Sequence, residues 1–182
     1  MRIRTSALAG TILLVLSACG GTAPSNSGVL AADSAGFRVA VPAGWHALAT
    51  ERSDWIDGKT VAILSTQPLN PQCEGSDAPR ECRSPLVTLD SGALLIWWLS
   101  TTCAGTACVP PVGDPALVGG REATRLQGTD VCTGLGATAE EAYIVAVSPQ
   151  QLDAIVVCQR DAPASVHATL ADLLERVDWR TP

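Results

Sequence analysis

The amino-acid sequence predicts an α+β domain, in which a largely antiparallel β-sheet carries a C-terminal helix. Three observations support this fold class. Strand-length segments that alternate in polarity or are continuously apolar recur between turns rich in Gly and Pro. Two of these segments are joined by the short polar connection at residues 148–151, which favours a hairpin. The segment that follows them has one apolar face at helical spacing.

The strands of the first half are indicated by their apolar patterns. Residues 37–41 alternate with a period of two and end in a Pro-Ala-Gly-Trp turn, and residues 61–65 form a short apolar segment. Residues 67–92 are rich in turn-forming residues and predict a long loop. Residues 93–99 (ALLIWWL) are apolar on both faces, which is typical of a central strand, with Trp97 and Trp98 pointing to opposite sides.

The second half continues with a predicted loop over residues 104–120 and three further strands, at residues 122–127, 141–147 and 152–159. A helix then begins near Pro163, which suits a first helical turn, and Asp161 or Ser165 would cap it. Its apolar face, which we expect to pack on the sheet, consists of Val166, Leu170, Leu173, Leu174 and Val177.

The composition limits the class of protein. The chain has 182 residues, 12 Lys+Arg and 18 Asp+Glu, with 47% hydrophobic and 16% charged residues. This apolar content excludes a mostly disordered chain, and the length favours a single domain. Nucleic acid is not an expected partner, because the net charge is −6 and Lys59 is the sole lysine.

The N-terminus has the pattern of a lipoprotein signal peptide. Arg2 and Arg4 precede an apolar segment at residues 7–16, which is too short to span a membrane as a helix. Residues 16–19 (LSAC) resemble the bacterial lipobox, in which the cysteine receives a diacylglycerol and becomes the new N-terminus. We therefore predict a signal peptide at residues 1–18 and lipidation of Cys19. A plain cleaved signal followed by a chance cysteine is the alternative.

Lipidation would anchor the protein to the extracytoplasmic side of the cell membrane, since two acyl chains give durable attachment where one gives marginal binding. Residues 20–35 are rich in Gly, Ser, Ala and Pro and lack apolar periodicity. The predicted organisation is therefore a flexible tether at residues 19–35 and a single globular domain at residues 36–182.

The cysteine count fits this compartment. The sequence has seven cysteines, and assigning Cys19 to the lipid leaves an even number, which suggests three disulfides in an oxidising compartment. Six cysteines allow 15 connectivities, but the spacing favours three pairs: Cys73–Cys82, Cys103–Cys108 and Cys132–Cys158. No metal site is predicted, because a second closely spaced cysteine pair of zinc-site type is missing.

Three segments together resemble a known group of proteins: FRVAVPAGW at residues 37–45, VGGREA at residues 118–123 and VVCQR at residues 156–160. The arrangement is similar to small actinobacterial exported lipoproteins of the LpqN type, which have a PsbP-like fold. The resemblance covers roughly residues 36–180 and implies an α/β/α sandwich, for which residues 46–56 would supply a second helix. It implies no catalytic residues, because proteins of this kind mostly serve as accessory or binding modules.

Catalytic and cofactor motifs are weak. G-x-S-x-G, H-E-x-x-H and P-loop patterns are missing from the sequence, and the G-x-G-x-x-A match at residues 134–139 precedes a strand rather than a helix. A dispersed Ser-His-Asp triad would need His46 or His167 as its base. We expect His167 to lie near the core face of the helix and His46 at the surface. Asp54 and Asp57 provide too few oxygens for calcium and predict an ordinary turn.

Function is predicted at the level of class. The preferred hypothesis is a non-enzymatic envelope lipoprotein without a cofactor, which binds an unknown envelope protein, with Trp55 as an exposed anchor in a loop. The alternative is a carrier of an apolar, lipid-like ligand, in a cavity lined by one face of the strand that contains Trp97 and Trp98. An envelope hydrolase with a dispersed active site is the third hypothesis.

Overall fold

The computed structural model describes residues 28–55, 58–70, 73–74, 81–82, 86–103 and 107–180. The predicted signal peptide and the predicted lipidation site, Cys19, lie outside the described residues. Within the described residues, none of the helices has the length and apolar character needed to cross a membrane.

The described chain forms a series of β-strands followed by one α-helix and a last short strand. In chain order these elements are β1 (Gly28–Ala32), β2 (Phe37–Val41), β3 (His46–Trp55), β4 (Gly58–Ser65), β5 (Cys73–Glu74), β6 (Glu81–Cys82), β7 (Ala93–Thr102), β8 (Asp114–Val118), β9 (Arg121–Gln127), β10 (Ala139–Ser148), β11 (Gln151–Arg160), α1 (Ala164–Glu175) and β12 (Asp178–Trp179).

The centre of the fold is a seven-stranded sheet in the order β3-β4-β7-β11-β10-β9-β8, in which all neighbouring strands are antiparallel. A second sheet has the order β1-β2-β12, and β5 pairs with β6 in a short ribbon. The predicted α+β class is therefore confirmed. The central position predicted for β7 is also confirmed, because β7 lies between β4 and β11.

One face of the seven-stranded sheet, the first face, is covered by the three-stranded sheet and by α1. Trp98 is fully buried there and stacks on Phe37 with ring centroids 3.6 Å apart, while Trp179 meets it edge-on. The predicted apolar face of α1 is confirmed, since Leu170, Leu173 and Leu174 join this core. The aromatic stack and the helix thus seal the first face.

The opposite face, the second face, is covered in part by loops. Leu69, Leu89 and Leu135 come from these loops and pack in a second apolar cluster with residues of β4, β7 and β11. The loops support each other, because the Leu89 N–H donates to the Leu135 carbonyl at 2.9 Å. The predicted second helix at residues 46–56 is wrong, since residues 46–55 form β3, which pairs with β4.

The folded chain begins earlier than the composition suggested. β1 pairs along its whole length with β2, from Gly28 opposite Val41 to Ala32 opposite Phe37. Leu30 and Ala32 are buried in the first core. The predicted tether is therefore too long, because the small residues around Leu30 can still complete a sheet.

Two details of the second half also differ from expectation. The predicted loop at residues 104–120 contains the edge strand β8, which pairs with β9 across the turn at Gly119 and Gly120. α1 begins after Pro163 with no side-chain cap, so neither Asp161 nor Ser165 caps it. Proline at this position fixes an extended entry into the helix.

Candidate functional site

Two of the three predicted disulfides are confirmed. Cys103 is bonded to Cys108 with an S–S distance of 2.06 Å, and Cys132 to Cys158 with 1.98 Å. The third predicted pair stays a prediction, because the side chains of Cys73 and Cys82 lie outside the described part of the chain. The backbone of the β5–β6 ribbon does place these two residues directly opposite each other.

The candidate functional site is an open groove on the second face, at the end of the sheet formed by β8, β9 and β10. Its volume is about 820 Å³. The floor is formed by the sheet and one wall by the segment that leads into β8. The lining residues are Pro110, Gly113, Pro115, Ala116, Leu117, Glu122, Ala123, Thr124, Ile144 and Ala146.

The wall of the groove is the segment at residues 107–113, which is fixed at both ends. At its first end, Cys108 is held by the disulfide to Cys103, and the Cys108 N–H donates to the Pro149 carbonyl at 2.7 Å. At the other end Gly113 lies so close to β9 that a Cβ atom there would be 2.6 Å from the Arg125 carbonyl oxygen. Glycine is therefore required where the wall meets the sheet.

Large apolar side chains are exposed around the groove. Val109 is 81% exposed, Val112 is 99% exposed and Leu117 is 67% exposed. These three residues fall within one short stretch of chain, together with the lining prolines Pro110 and Pro115. A concentration of exposed apolar area with a polar surround is typical of an interaction site, whereas single exposed apolar residues are normal.

A mostly apolar row of side chains continues from the groove across the sheet. The strand register places Thr124, Ile144, Ala154 and Leu99 in one row across β9, β10, β11 and β7. Ile144 and Leu99 are partly buried at the margin of the second cluster. The groove therefore opens onto the face of β7 that also carries Trp97.

Glu122 is the one ionisable residue in the lining of the groove. It lies opposite Leu117 in the β8–β9 pair, and its side chain is exposed. Among the described residues no hydrogen bond or ion pair involves its carboxylate. The nearby acid Asp114, in contrast, lies 3.8 Å from Arg125.

The structure separates the three predicted tryptophans. Trp97 and Trp98 do point to opposite faces as predicted, with Trp98 buried in the first core and Trp97 half-buried beside the second. Neither lines the groove. The loop position predicted for Trp55 is wrong, because it is the last residue of β3, opposite Gly58. The Trp55 side chain is outside the described part of the structure.

The predicted catalytic alternatives are not assembled into one site. His167 is exposed on α1, so its prediction as a core histidine is wrong. His46 is half-buried at the start of β3, which is a different element.

Residues 134–139 include a short 3₁₀ turn and lead into the antiparallel strand β10, which is not the strand–turn–helix context of a dinucleotide site. Asp57 and the Asp54 side chain lie outside the described residues.

Sequence reasoning missed a buried carboxyl group on the first face. Asp153 is fully buried on β11 and accepts hydrogen bonds from Trp98 Nε1 at 2.9 Å and Gln151 Nε2 at 3.0 Å. Burial raises the pKa of Asp153, while these hydrogen bonds act in the opposite direction. The signal in the sequence was Asp153 itself, the single acid of β11, beside the apolar residues 154–158. It faces away from the groove, so it belongs to the core.

The described residues form a disulfide-bonded antiparallel sheet protein, in which the first face is covered and the second face carries an open, largely apolar groove. Within the part of the chain that the structure describes, no cluster of three or more His, Cys, Asp or Glu residues could hold a metal ion. No protein-family model, curated protein or solved structure matches the chain.

Proposed function

We propose that this protein is a lipid-anchored binding module of the bacterial cell envelope, without enzymatic activity, and that the groove beside β8 is its binding surface. The proposal includes lipidation of Cys19 and the resemblance to PsbP-like lipoproteins. Supporting it are the lipobox-like residues 16–19, the disulfides of an oxidising compartment and the exposed apolar groove.

The exposed apolar residues of the groove carry the proposal. Val112 and Leu117 are exposed to water, whereas full burial of such a side chain would stabilise the protein by about 1.5–3 kcal/mol. The fold holds this costly surface in place, since the disulfide fixes the wall and the Gly119 N–H donates to the Leu174 carbonyl at 2.8 Å. A rigid apolar surface loses little conformational entropy on binding, which favours recognition.

A carrier of a small apolar ligand is the second candidate function. A volume of about 820 Å³ lies within the usual range of ligand sites, which is about 300–1,000 Å³. Its location differs from that of the predicted cavity, because neither Trp97 nor Trp98 lines the groove. Native mass spectrometry of protein extracted gently from its source membrane separates the two functions, because a carrier would retain a non-covalent adduct.

Site-specific photo-crosslinking in the source cells tests the groove as a binding surface. A photo-reactive residue replaces Leu117 in the groove or, as the control, Val87, which is 83% exposed in another loop. We expect discrete products from position 117 and none from position 87. Ala146→Trp, which would fill the groove from an exposed position, should abolish the products. Products that persist in Ala146→Trp would contradict the proposal.

Lipidation is tested on the mature protein. We expect the membrane fraction to contain a chain that begins at residue 19, with a diacylglycerol on the thiol of Cys19, as measured by mass spectrometry of the N-terminal peptide. Cys19→Ala should shift the protein to the soluble fraction. A mature chain without lipid, still found in the membrane fraction, would refute the anchor.

A further inference from the structure

We infer that the groove binds an extended apolar segment of a partner protein, with a basic residue of that segment placed against Glu122. This inference rests on the proposed function and adds the chemistry of the partner. It follows from the size of the apolar surface, the strand edge beside it, the charge of its lining and the position of the predicted anchor.

The size of the surface suits a short extended peptide. The groove crosses β8, β9 and β10, and the row that contains Ile144 continues through Ala154 on β11 to Leu99 on β7. Five strands at a spacing of about 4.8 Å give a length near 19 Å, which about six residues of extended chain would cover. A small ligand would need a more enclosed site, because ligand pockets bury about 70–90% of their occupant.

The docking uses side chains rather than addition of a strand to β8. The two-residue turn at Gly119 and Gly120 makes its flanking residues a hydrogen-bonded pair, so Pro115 and Leu117 direct their main-chain groups to the open edge. Pro115 has no N–H to offer a new strand. At the turn end of β8, α1 contacts the strand and restricts access to its edge. The open edge is therefore poorly suited to strand addition.

The charge of the groove selects a basic partner. Glu122 is the one ionisable residue of the lining, it is exposed, and no described residue neutralises it. The chain as a whole is acidic, with a formal net charge of −6. An ammonium or guanidinium group on the peptide would complement both, and complementary charge contributes to partner choice and association rate.

The predicted anchor leaves the groove accessible to a protein. β1, which the tether enters, belongs to the layer on the first face, whereas the groove lies on the second face. A domain anchored through residue 19 can therefore present the groove to a partner. An anionic lipid surface is a poorer occupant, because the lining contains an acid and no Lys or Arg.

The test uses a labelled, end-capped seven-residue peptide of alternating Val and Thr with a central Lys, and the same peptide with Gln in place of Lys. Binding to the full lipidated chain in detergent micelles is measured by fluorescence anisotropy. We expect the Lys peptide to bind about two- to fivefold more tightly than the Gln peptide, the range for an exposed ion pair.

Glu122→Gln should remove this preference for the Lys peptide, whereas the control Glu175→Gln, exposed on α1, should keep it. Ala146→Trp should weaken both peptides.

The outcomes separate this inference from the proposed function. If neither peptide binds while crosslinks from position 117 still depend on an open groove, the peptide inference is wrong and the binding function stands. An unchanged Lys preference in Glu122→Gln would also overturn it. So would co-sedimentation of the Cys19→Ala chain with phosphatidylcholine vesicles that Ala146→Trp abolishes, because a lipid surface would then be the occupant.

Discussion

Asp153 shows how one residue can link core packing to pH. Its carboxyl group is fully buried beside Trp98, whose indole also stacks on Phe37, so the acid touches the centre of the first core. Gln151 Nε2 donates to Asp153 and also to Ser100 Oγ at 2.9 Å, which ties the acid to β7. The Asp153 carboxyl group is thus hydrogen-bonded but shielded from bulk solvent, so its ionisation affects the free energy of unfolding.

Folding stability should decrease as pH rises through the folded pKa of Asp153. Burial raises that pKa, so this group stabilises the fold fully only below its ordinary pKa, near 3.9 in an unfolded chain. Between the two pKa values the slope is at most about 1.4 kcal/mol per pH unit. Urea unfolding from pH 3.5 to 7 measures it. Asp153→Asn should flatten the curve, whereas Asp178→Asn, exposed on β12, should not. An equal slope in both variants would contradict this assignment.

The β8–β9 hairpin is the element on which the groove depends. Its turn approaches the segment after α1 so closely that a Cβ atom on Gly119 would clash with the Val177 carbonyl oxygen and would be 2.8 Å from Trp179 Nε1. Gly120, the other turn residue, has no atom within 4 Å of the same position. Both have positive φ, of 54° and 75°. They therefore form a matched pair that separates backbone strain from crowding.

Gly119→Ala should destabilise the protein more than Gly120→Ala. The left-handed backbone costs about 1–2 kcal/mol for alanine at either position. Crowding against the backbone adds about 1–3 kcal/mol at Gly119 alone. Urea unfolding of both variants gives the two free energies. Equal losses would mean that the hairpin moves away from α1 at no cost, and the floor of the groove would then not be rigid.

The sequence predicted the strands whose own pattern is strong and missed those that depend on neighbours. β7, β10 and β11 have apolar runs that favour strands in any context, and all three were expected. β1 (GVLAA) and β8 (DPALV) are short and have only two large apolar residues each, so their own patterns are weak and they depend on a partner strand. The groove itself was beyond prediction, because it depends on which half of the second face the loops leave open.

The whole molecule is a sheet whose two faces are stabilised in different ways. The first face is sealed by large apolar side chains, such as Phe37 and Trp98. The loop between β9 and β10, which covers part of the second face, has few such residues. It is held instead by the Cys132–Cys158 disulfide. The Glu140 carboxylate also accepts hydrogen bonds from the Val131 and Cys132 N–H groups. We therefore expect the two faces to differ in their response to loss of a disulfide.

Replacing Cys132 and Cys158 together by Ala should open the second face first. The bond spans 26 residues, and its loss costs about 3.5 kcal/mol in the chain-entropy estimate, against about 2 kcal/mol for the 5-residue Cys103–Cys108 separation. Hydrogen exchange measures where that cost falls. The Leu89 amide, bonded to Leu135, should exchange faster, while the Val39 amide in the first core should keep its protection.

The matched variant with Cys103 and Cys108 replaced by Ala should instead release the groove wall. Its amide at position 108, bonded to the Pro149 carbonyl, should lose protection, and the Leu89 amide should not. Crosslinking from position 117 should then weaken, because a mobile wall must be ordered again when a partner binds, and that ordering costs conformational entropy. If both double variants lost protection at Val39 and Leu89 alike, the faces would unfold as one unit, and the groove wall would have no independent mobility for a disulfide to restrain.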